Sequence, residues 1–383
     1  MILKLARYVD HFSFAAANLL IGSFVSRYGG EQEFNDFILG VTIALFLYGF
    51  IKLIFISGLS VGRLKFTDKS MVGFKYYQCT LSFLGMSLYL FGSLNIFVYM
   101  FFFVLIFLSI DYYRVYYASN VDMVRSSIPS VLYLIFVVTN YSISYIGGYD
   151  LLKIFMSCFM LLVFLSSFFK ILSTNSHPVF GVDVGNKNFL FYWLSNSAIS
   201  HVPVFLFSVY EAKMAAVFFA LRSLFNAFST LLRPKEVDFR LALQSITNPR
   251  ILVFNFMKYA VVLYLTFALV MTFFSENIME MVYSESFGLT WESIMAFSLY
   301  MILIWPPLLL ESVAVKQNQL RKLAIARMID LLLVAALFCV GWYVSFSFGM
   351  FVLFLAFSSI ASLLMLYKLT SVHYSRGLND HKI

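Results

Sequence analysis

The stretch AAVFFALRSLFNAFSTLLRP, residues 215–234, reads as a membrane-spanning helix with an arginine, Arg222, near its middle. Apolar runs of the same kind recur along the whole 383-residue chain. Hydrophobic residues make up 61% of it and charged residues 12%, where soluble domains carry about a quarter charged. Mean hydropathy is +0.87. One buried core cannot absorb so many apolar runs, so the chain reads as an all-α polytopic membrane protein. The alternating short segments of an outer-membrane barrel are absent. Net charge is +8, but the basic residues are scattered between apolar runs. That pattern points to membrane topology and not to nucleic acid. Cys79, Cys158 and Cys339 lie far apart with no metal-ligand spacing, which argues against a disulfide framework or a metal site.

About twelve runs approach the roughly 20 residues that cross a bilayer core. They fall near 11–28, 34–56, 73–92, 94–112, 128–146, 150–171, 188–209, 212–232, 251–274, 290–311, 324–345 and 347–369. The first follows Lys4 and Arg7, as a signal peptide would. Asn18, Gly22 and Ser26 stud it and no cleavage site follows, so it reads as a retained span. With the amino terminus inside, the cytoplasmic segments collect Arg63, Lys65, Arg114, Arg125, Lys170, Arg233, Lys235 and Arg321. The opposite loops collect Glu31, Glu33, Asp36, Glu211, Glu276 and Glu280. This asymmetry puts both termini in the cytoplasm. The longest of the opposite loops, near 275–289, is too short to hold a soluble domain.

A polar interval, STNSHPVFGVDVGNK (173–187), divides the spans six and six. The expected organisation is therefore a six-helix bundle over 1–173, a cytoplasmic linker over 174–187, a second six-helix bundle over 188–370 and a cytoplasmic tail over 371–383. Six is even, so both halves enter the membrane from the same side. Any internal symmetry is then a pseudo-two-fold along the membrane normal.

Polar residues inside the spans fall on stripes. Arg222, Asn226, Ser229 and Arg233 share one helical face; so do Asn196, Ser197, Ser200 and His201 in the seventh span, and His11, Asn18, Gly22 and Ser26 in the first, with Arg27 ending the stripe. These spans turn one side toward protein or water. Spans 4, 6, 9 and 12 are uniformly apolar and read as lipid-facing walls. Arg222 sits about ten residues, roughly 15 Å, from either end of its span. An arginine at that depth costs about 2.5–3.5 kcal/mol on insertion scales. Either it is a structural arginine in an internal pair, or it is an anion site in a hydrated cavity. The accompanying Asn226 and the lack of an acid at matching depth favour the second.

Lys258, two turns into the ninth span, is a further cationic candidate, with snorkelling to the interface as its plain alternative. Asp330 stands three residues after Arg327, a spacing that neutralises itself on a helix; a proton- or cation-coupling carboxylate is the other reading. Glu311 ends the tenth span and reads as interfacial, with a coupling role as its alternative. Asp10 and His11 read as an interfacial pair. Pro306 and Pro307, in LIWPPLLLES, interrupt the tenth span and predict a kink. No nucleotide-binding loop, metal cluster or nucleophile–base motif stands in the chain, so a non-enzymatic protein without a cofactor is expected.

One stretch, AAANLLIGSFVSRYGGEQEFNDFILGVTIALFLYGF (15–50), resembles the opening of Wzx-type polysaccharide (O-antigen) flippases of the multidrug/oligosaccharidyl-lipid/polysaccharide (MOP) exporter superfamily. There a first span ends in an arginine, followed by a glycine turn, an acid–Phe pair and a second span; here these are Arg27, Gly29–Gly30 and Glu33–Phe34. Where that family commonly has a glycine after the pair, this chain has Asn35–Asp36. The resemblance implies two six-helix bundles around a central cationic cavity in a bacterial inner membrane. It implies alternating access, driven by H+ or Na+, that moves a lipid-diphosphate-linked oligosaccharide to the outer leaflet. Membrane lipids and polysaccharide-assembly proteins are the implied partners. Under that reading Arg27 matches the family-like turn, Arg222, singled out by its depth, suits the diphosphate, and Asn18, Asn196, Ser200 and Asn226 meet sugar hydroxyls; Lys258, and His201, which could titrate near neutral pH or serve only in packing, are further substrate-binding candidates. Asp330 and Glu311 are the coupling candidates. The alternatives are an ion-coupled drug antiporter of the same superfamily, which wants carboxylates in its cavity, and a membrane polymerase or glycosyltransferase, which wants a long outer loop.

Overall fold

The computed structural model describes residues 2–52, 68–90, 95–119, 124–147, 150–174, 201–232, 239, 249–284, 287–316 and 319–380. All regular structure among them is helical. In chain order the helices are α1 (Ile2–Tyr28), α2 (Gly30–Lys52), α3 (Asp68–Leu90), α4 (Asn95–Ser119), α5 (Ile128–Gly147), α6 (Asp150–Leu172), α7 (His201–Tyr210), α8 (Ala212–Ser229), α9 (Pro249–Tyr283), α10 (Trp291–Leu303), α11 (Trp305–Lys316), α12 (Leu320–Val344) and α13 (Phe348–Asp380). Counting α10 and α11 as one broken span, seven are long and apolar enough to cross a membrane. The chain is an all-α, multi-pass membrane protein.

Two compact units account for the chain: Met1–Asn186 with Phe207–Phe219, and Lys187–Leu206 with Ala220–Ile383. In the first, α1 packs on α5, α2 on α4 and α3 on α6. The α1–α2 corner depends on glycine. Gly29 donates its N–H to the Val25 carbonyl (2.9 Å), and Gly30 takes φ +78°, a left-handed conformation that costs glycine nothing. The expectation that the fourth span faces lipid is overturned. In α4, 72% of the span is buried, against 17% in α6. A helix that is apolar all round suits a protein interior as well as a lipid one, and α4 uses its Phe102, Phe103 and Leu105 as the centre of the unit.

In the second unit α10, α11 and α12 pack on α13, and α9 packs on α10. Phe225 of α8 meets Phe267 of α9 (4.6 Å between ring centres) and Phe297 of α10 (5.2 Å). The kink expected from Pro306 and Pro307 is present: α10 stops at Leu303 and α11 begins at Trp305. Two consecutive residues without N–H groups remove two rungs of the helical ladder. The interval near 275–289, expected as a loop, is helical as far as Tyr283. Its Ser, Glu, Asn and Met residues continue α9 past the apolar run, which marks where hydrocarbon would end and not where the helix must. Likewise α13 continues beyond the expected end of its span to Asp380.

Candidate functional site

Arg222 belongs to the second unit. It is half-buried on α8 between the fully buried Leu221 and the buried Leu224 and Phe225. Two other helices bring polar groups to it: His201, on the first turn of α7, and Tyr300, on the last turn of α10, both interact with its charge. The His201 Nδ1 is buried with no hydrogen-bond partner among the described residues. An imidazole and a phenol from two other helices thus lie within electrostatic range of the guanidinium. Asn226, one turn along the Arg222 stripe, is exposed, and Ser229 is turned back to the Asn226 carbonyl (2.7 Å).

A cavity of about 80 Å³ opens beside this group, lined by Pro203, Tyr300, Pro307, Arg327, Asp330 and Ser358 among others. One water needs roughly 10–15 Å³ on this measure, so several fit. At its wall Arg327 acts as a hub. It forms ion pairs with Glu311 of α11 and with Asp330 of its own helix (3.0 Å), and it donates a hydrogen bond to the Ser362 hydroxyl of α13 (3.0 Å). The i, i+3 pairing expected for Arg327 and Asp330 is present. Glu311, expected as interfacial, is 4% exposed and pairs with Arg327. Two carboxylates share one guanidinium. The Asp330 Oδ1, in a side chain 3% exposed, has no hydrogen-bond partner among the described residues.

The first unit holds two other polar groups. Arg114 of α4 bridges Asp10 of α1 (2.9 Å) and Asp111 (3.2 Å), donates to Ser130 of α5 (2.9 Å) and lies over the Phe14 ring (5.1 Å). Tyr48 of α2 donates to Asp111. Asp10, expected as interfacial beside His11, is buried within this cluster. At the opposite end of α1 and α2, Glu33 accepts from Tyr99 (2.7 Å) and pairs with Lys153 (3.1 Å). The acid of the Glu33–Phe34 pair thus ties α2 to α4 and α6, while Phe34 and Phe37 pack on Phe219.

The structure separates the candidate residues. Arg222, His201, Glu311 and Asp330 fall in the second unit around one region, joined by Tyr300 and Arg327. Asn18 lies in the first unit and accepts a hydrogen bond from Tyr133 (3.0 Å); Arg27 is half-buried at the end of α1. Lys258 is exposed on α9 with its ammonium over the exposed Phe254 ring (4.9 Å), a setting that suits snorkelling. Asn196, Ser200 and Arg233 lie outside the described residues. Sequence reasoning missed Tyr300, one of 24 tyrosines with no distinguishing neighbour beyond the nearby proline pair. It noted Arg327 only as the partner of Asp330, since nothing in the sequence brings Glu311 to it.

No protein-family model matches the chain, and no curated protein matches it by sequence. Solved structures do match over nearly its whole length. A MOP-superfamily transporter from Pyrococcus furiosus, whose binding pocket of reversed polarity suggests a different function, aligns with a TM-score of 0.56 at 12% identity, covering 98% of this chain and 94% of that one. The MATE multidrug transporter DinF-BH, solved in complex with rhodamine 6G, aligns with a TM-score of 0.56 at 15% identity, covering 97% and 94%. The fold is therefore shared with these transporters over nearly the whole chain.

Proposed function

We propose that this chain is a lipid-linked oligosaccharide flippase in which Arg222 receives the diphosphate. The observation that carries this reading is the meeting of Arg222 with His201 and Tyr300 midway along its span. A guanidinium offers a fixed fork of donors that matches phosphate oxygens, and in a low-dielectric setting such contacts are stronger than in water. A cationic drug meets repulsion at the same place. Nearby, the Glu311–Arg327–Asp330 group supports ion coupling: buried carboxylates at a cavity wall can exchange a proton or Na+ as the site loads and empties. The setting proposed is a bacterial inner membrane with both termini cytoplasmic, alongside polysaccharide-assembly proteins.

The test uses the full chain in proteoliposomes and a fluorescent polyprenyl-diphosphate oligosaccharide. Arg222→Ala should lower its translocation at least tenfold with normal membrane insertion, and Arg222→Lys should keep part of it. Wild-type rates with alanine would remove the reading. An ion-coupled drug antiporter is the second reading, favoured by the buried carboxylates of the Arg327 cluster beside the cavity. It is tested with a cationic rhodamine dye, whose efflux would then require Asp330 and tolerate loss of Arg222.

A further inference from the structure

We infer that Lys75 and Lys170 hold the phosphate of an anionic phospholipid where α3 and α6 meet at one end of the first unit, with the acyl chains laid on the exposed rings beside them. The site belongs to the first unit and Arg222 to the second, so it does not depend on what the chain transports. α3 packs on α6. Gln78 meets Ser167 (3.3 Å) and Phe83 meets Phe164 (6.1 Å between ring centres). The two helices therefore run antiparallel, in a register that brings Lys75 level with Lys170. Lys170 stands in the last turn of α6, an i+3 neighbour of Ser167, and its charge acts on Lys75.

Lys75 is a positioned ammonium and not a side chain stretched out to water. It is half-buried, donates to the Gln78 Oε1 (2.8 Å) and lies over the Tyr113 ring of α4 (6.0 Å). Gln78, 2% exposed, is itself fixed from two helices: it donates to the Ser109 hydroxyl of α4 (2.7 Å) and accepts from Ser167 of α6. Neither ammonium has a carboxylate partner among the described residues. On α4, Asp111 is held by Arg114 and Tyr48. Two like charges brought level repel, and an anion placed between them replaces that repulsion with attraction on both sides.

The neighbouring surface selects the anion. α6 is the least buried of the seven apolar spans. Phe164 and Phe168 stand one turn apart on it, stacked at 5.8 Å, and Phe83 of α3 adjoins Phe164. Phe83 and Phe168 are exposed, and so is Leu172 just past Lys170. A free phosphate gains nothing from these side chains. A phospholipid places its phosphate on the lysines and its chains on the rings, so both parts of the surface are used. Basic pockets between membrane helices take anionic headgroups in this way.

The probes are dioleoylphosphatidylglycerol, dioleoylphosphatidylcholine and glycerol phosphate, each titrated into the full chain in detergent and read by native mass spectrometry. Wild type should prefer phosphatidylglycerol to phosphatidylcholine. A lysine beside an anionic headgroup contributes roughly fivefold in affinity, so Lys75→Gln and Lys170→Gln should each weaken phosphatidylglycerol binding about fivefold and leave phosphatidylcholine binding as it is. Lys322→Gln, at an exposed lysine of α12, should change neither. Phosphatidylglycerol binding that stays at the wild-type level in both variants would overturn the inference. Equal losses from Lys322→Gln would also overturn it, because they mark general attraction to a basic chain. Glycerol phosphate that displaces the lipid at equal concentration would overturn the choice of a phospholipid. Melting temperatures check that each variant folds. Should Lys75→Gln fail to fold, Lys170→Glu at the exposed end of α6 supplies a second test. It gives Lys75 a carboxylate of its own and should abolish the thermal stabilisation that phosphatidylglycerol confers on wild type. Stabilisation that persists in this variant would overturn the inference.

Discussion

Arg327 holds two acids that are each under 5% exposed, so the balance of charge at this one residue decides whether the second unit is stable. Removing one partner of a buried ion pair costs about 3–5 kcal/mol, because the remaining charge is left unpaired. Arg327→Met strands two carboxylates and should lower the thermal midpoint in detergent by that order. Adding Glu311→Leu to it should return part of the loss, since one stranded charge is then gone. A single variant that melts like wild type would show that solvent already reaches these acids. Arg114 presents the same arrangement in the first unit, with Asp10 and Asp111 in place of Glu311 and Asp330. Each unit therefore carries an arginine between two carboxylates, one of them three residues away on the same helix.

Between helices, the closest approach involving α2 is set by Gly40. A Cβ there would come within 2.7 Å of the Ile96 carbonyl oxygen and of the Tyr99 Cβ on α4. Backbone cannot yield as a side-chain tip can, so Gly40→Ala should force α2 from α4 and cost about 1–3 kcal/mol. Gly22 is the contrast: its added Cβ meets only the Phe219 and Phe37 rings at 3.5 Å or more, an ordinary contact. Alanine there should be neutral or gain up to about 1 kcal/mol of helix propensity. Thermal unfolding of the two variants side by side checks the pair; equal losses would mean that the α2–α4 contact is looser than its geometry. The same scale holds the clearest lesson about apolar helices. Uniform apolarity marked both α4 and α6, yet one is the centre of its unit and the other its wall.

For the molecule as a whole, the basic and acidic loops argue for both terminal helices ending on the cytoplasmic side. Fusions test this directly. A fluorescent protein after the carboxyl-terminal helix should mature and glow, and alkaline phosphatase at that point should be inactive. Phosphatase inserted at the turn between α5 and α6 should be active. Phosphatase activity at the carboxyl terminus would reverse the orientation, and with it the direction of the transport proposed.

Composition and apolar length alone established an all-α membrane chain of about twelve spans, and the proline pair marked the broken one. These features are local: a run of apolar side chains or a missing N–H acts within a few residues, whatever the rest of the chain does. A charged residue within an apolar run is legible in the same way, and so Arg222 stood out. Partnership was not. Nothing in the sequence joins Glu311 to Arg327, sixteen residues on and across a turn, or Asp10 to Arg114 on another helix. Tyr300 carries no mark in the sequence at all. Which helix turns toward which neighbour depends on packing among many side chains at once, and only that packing gathers scattered polar residues into one region.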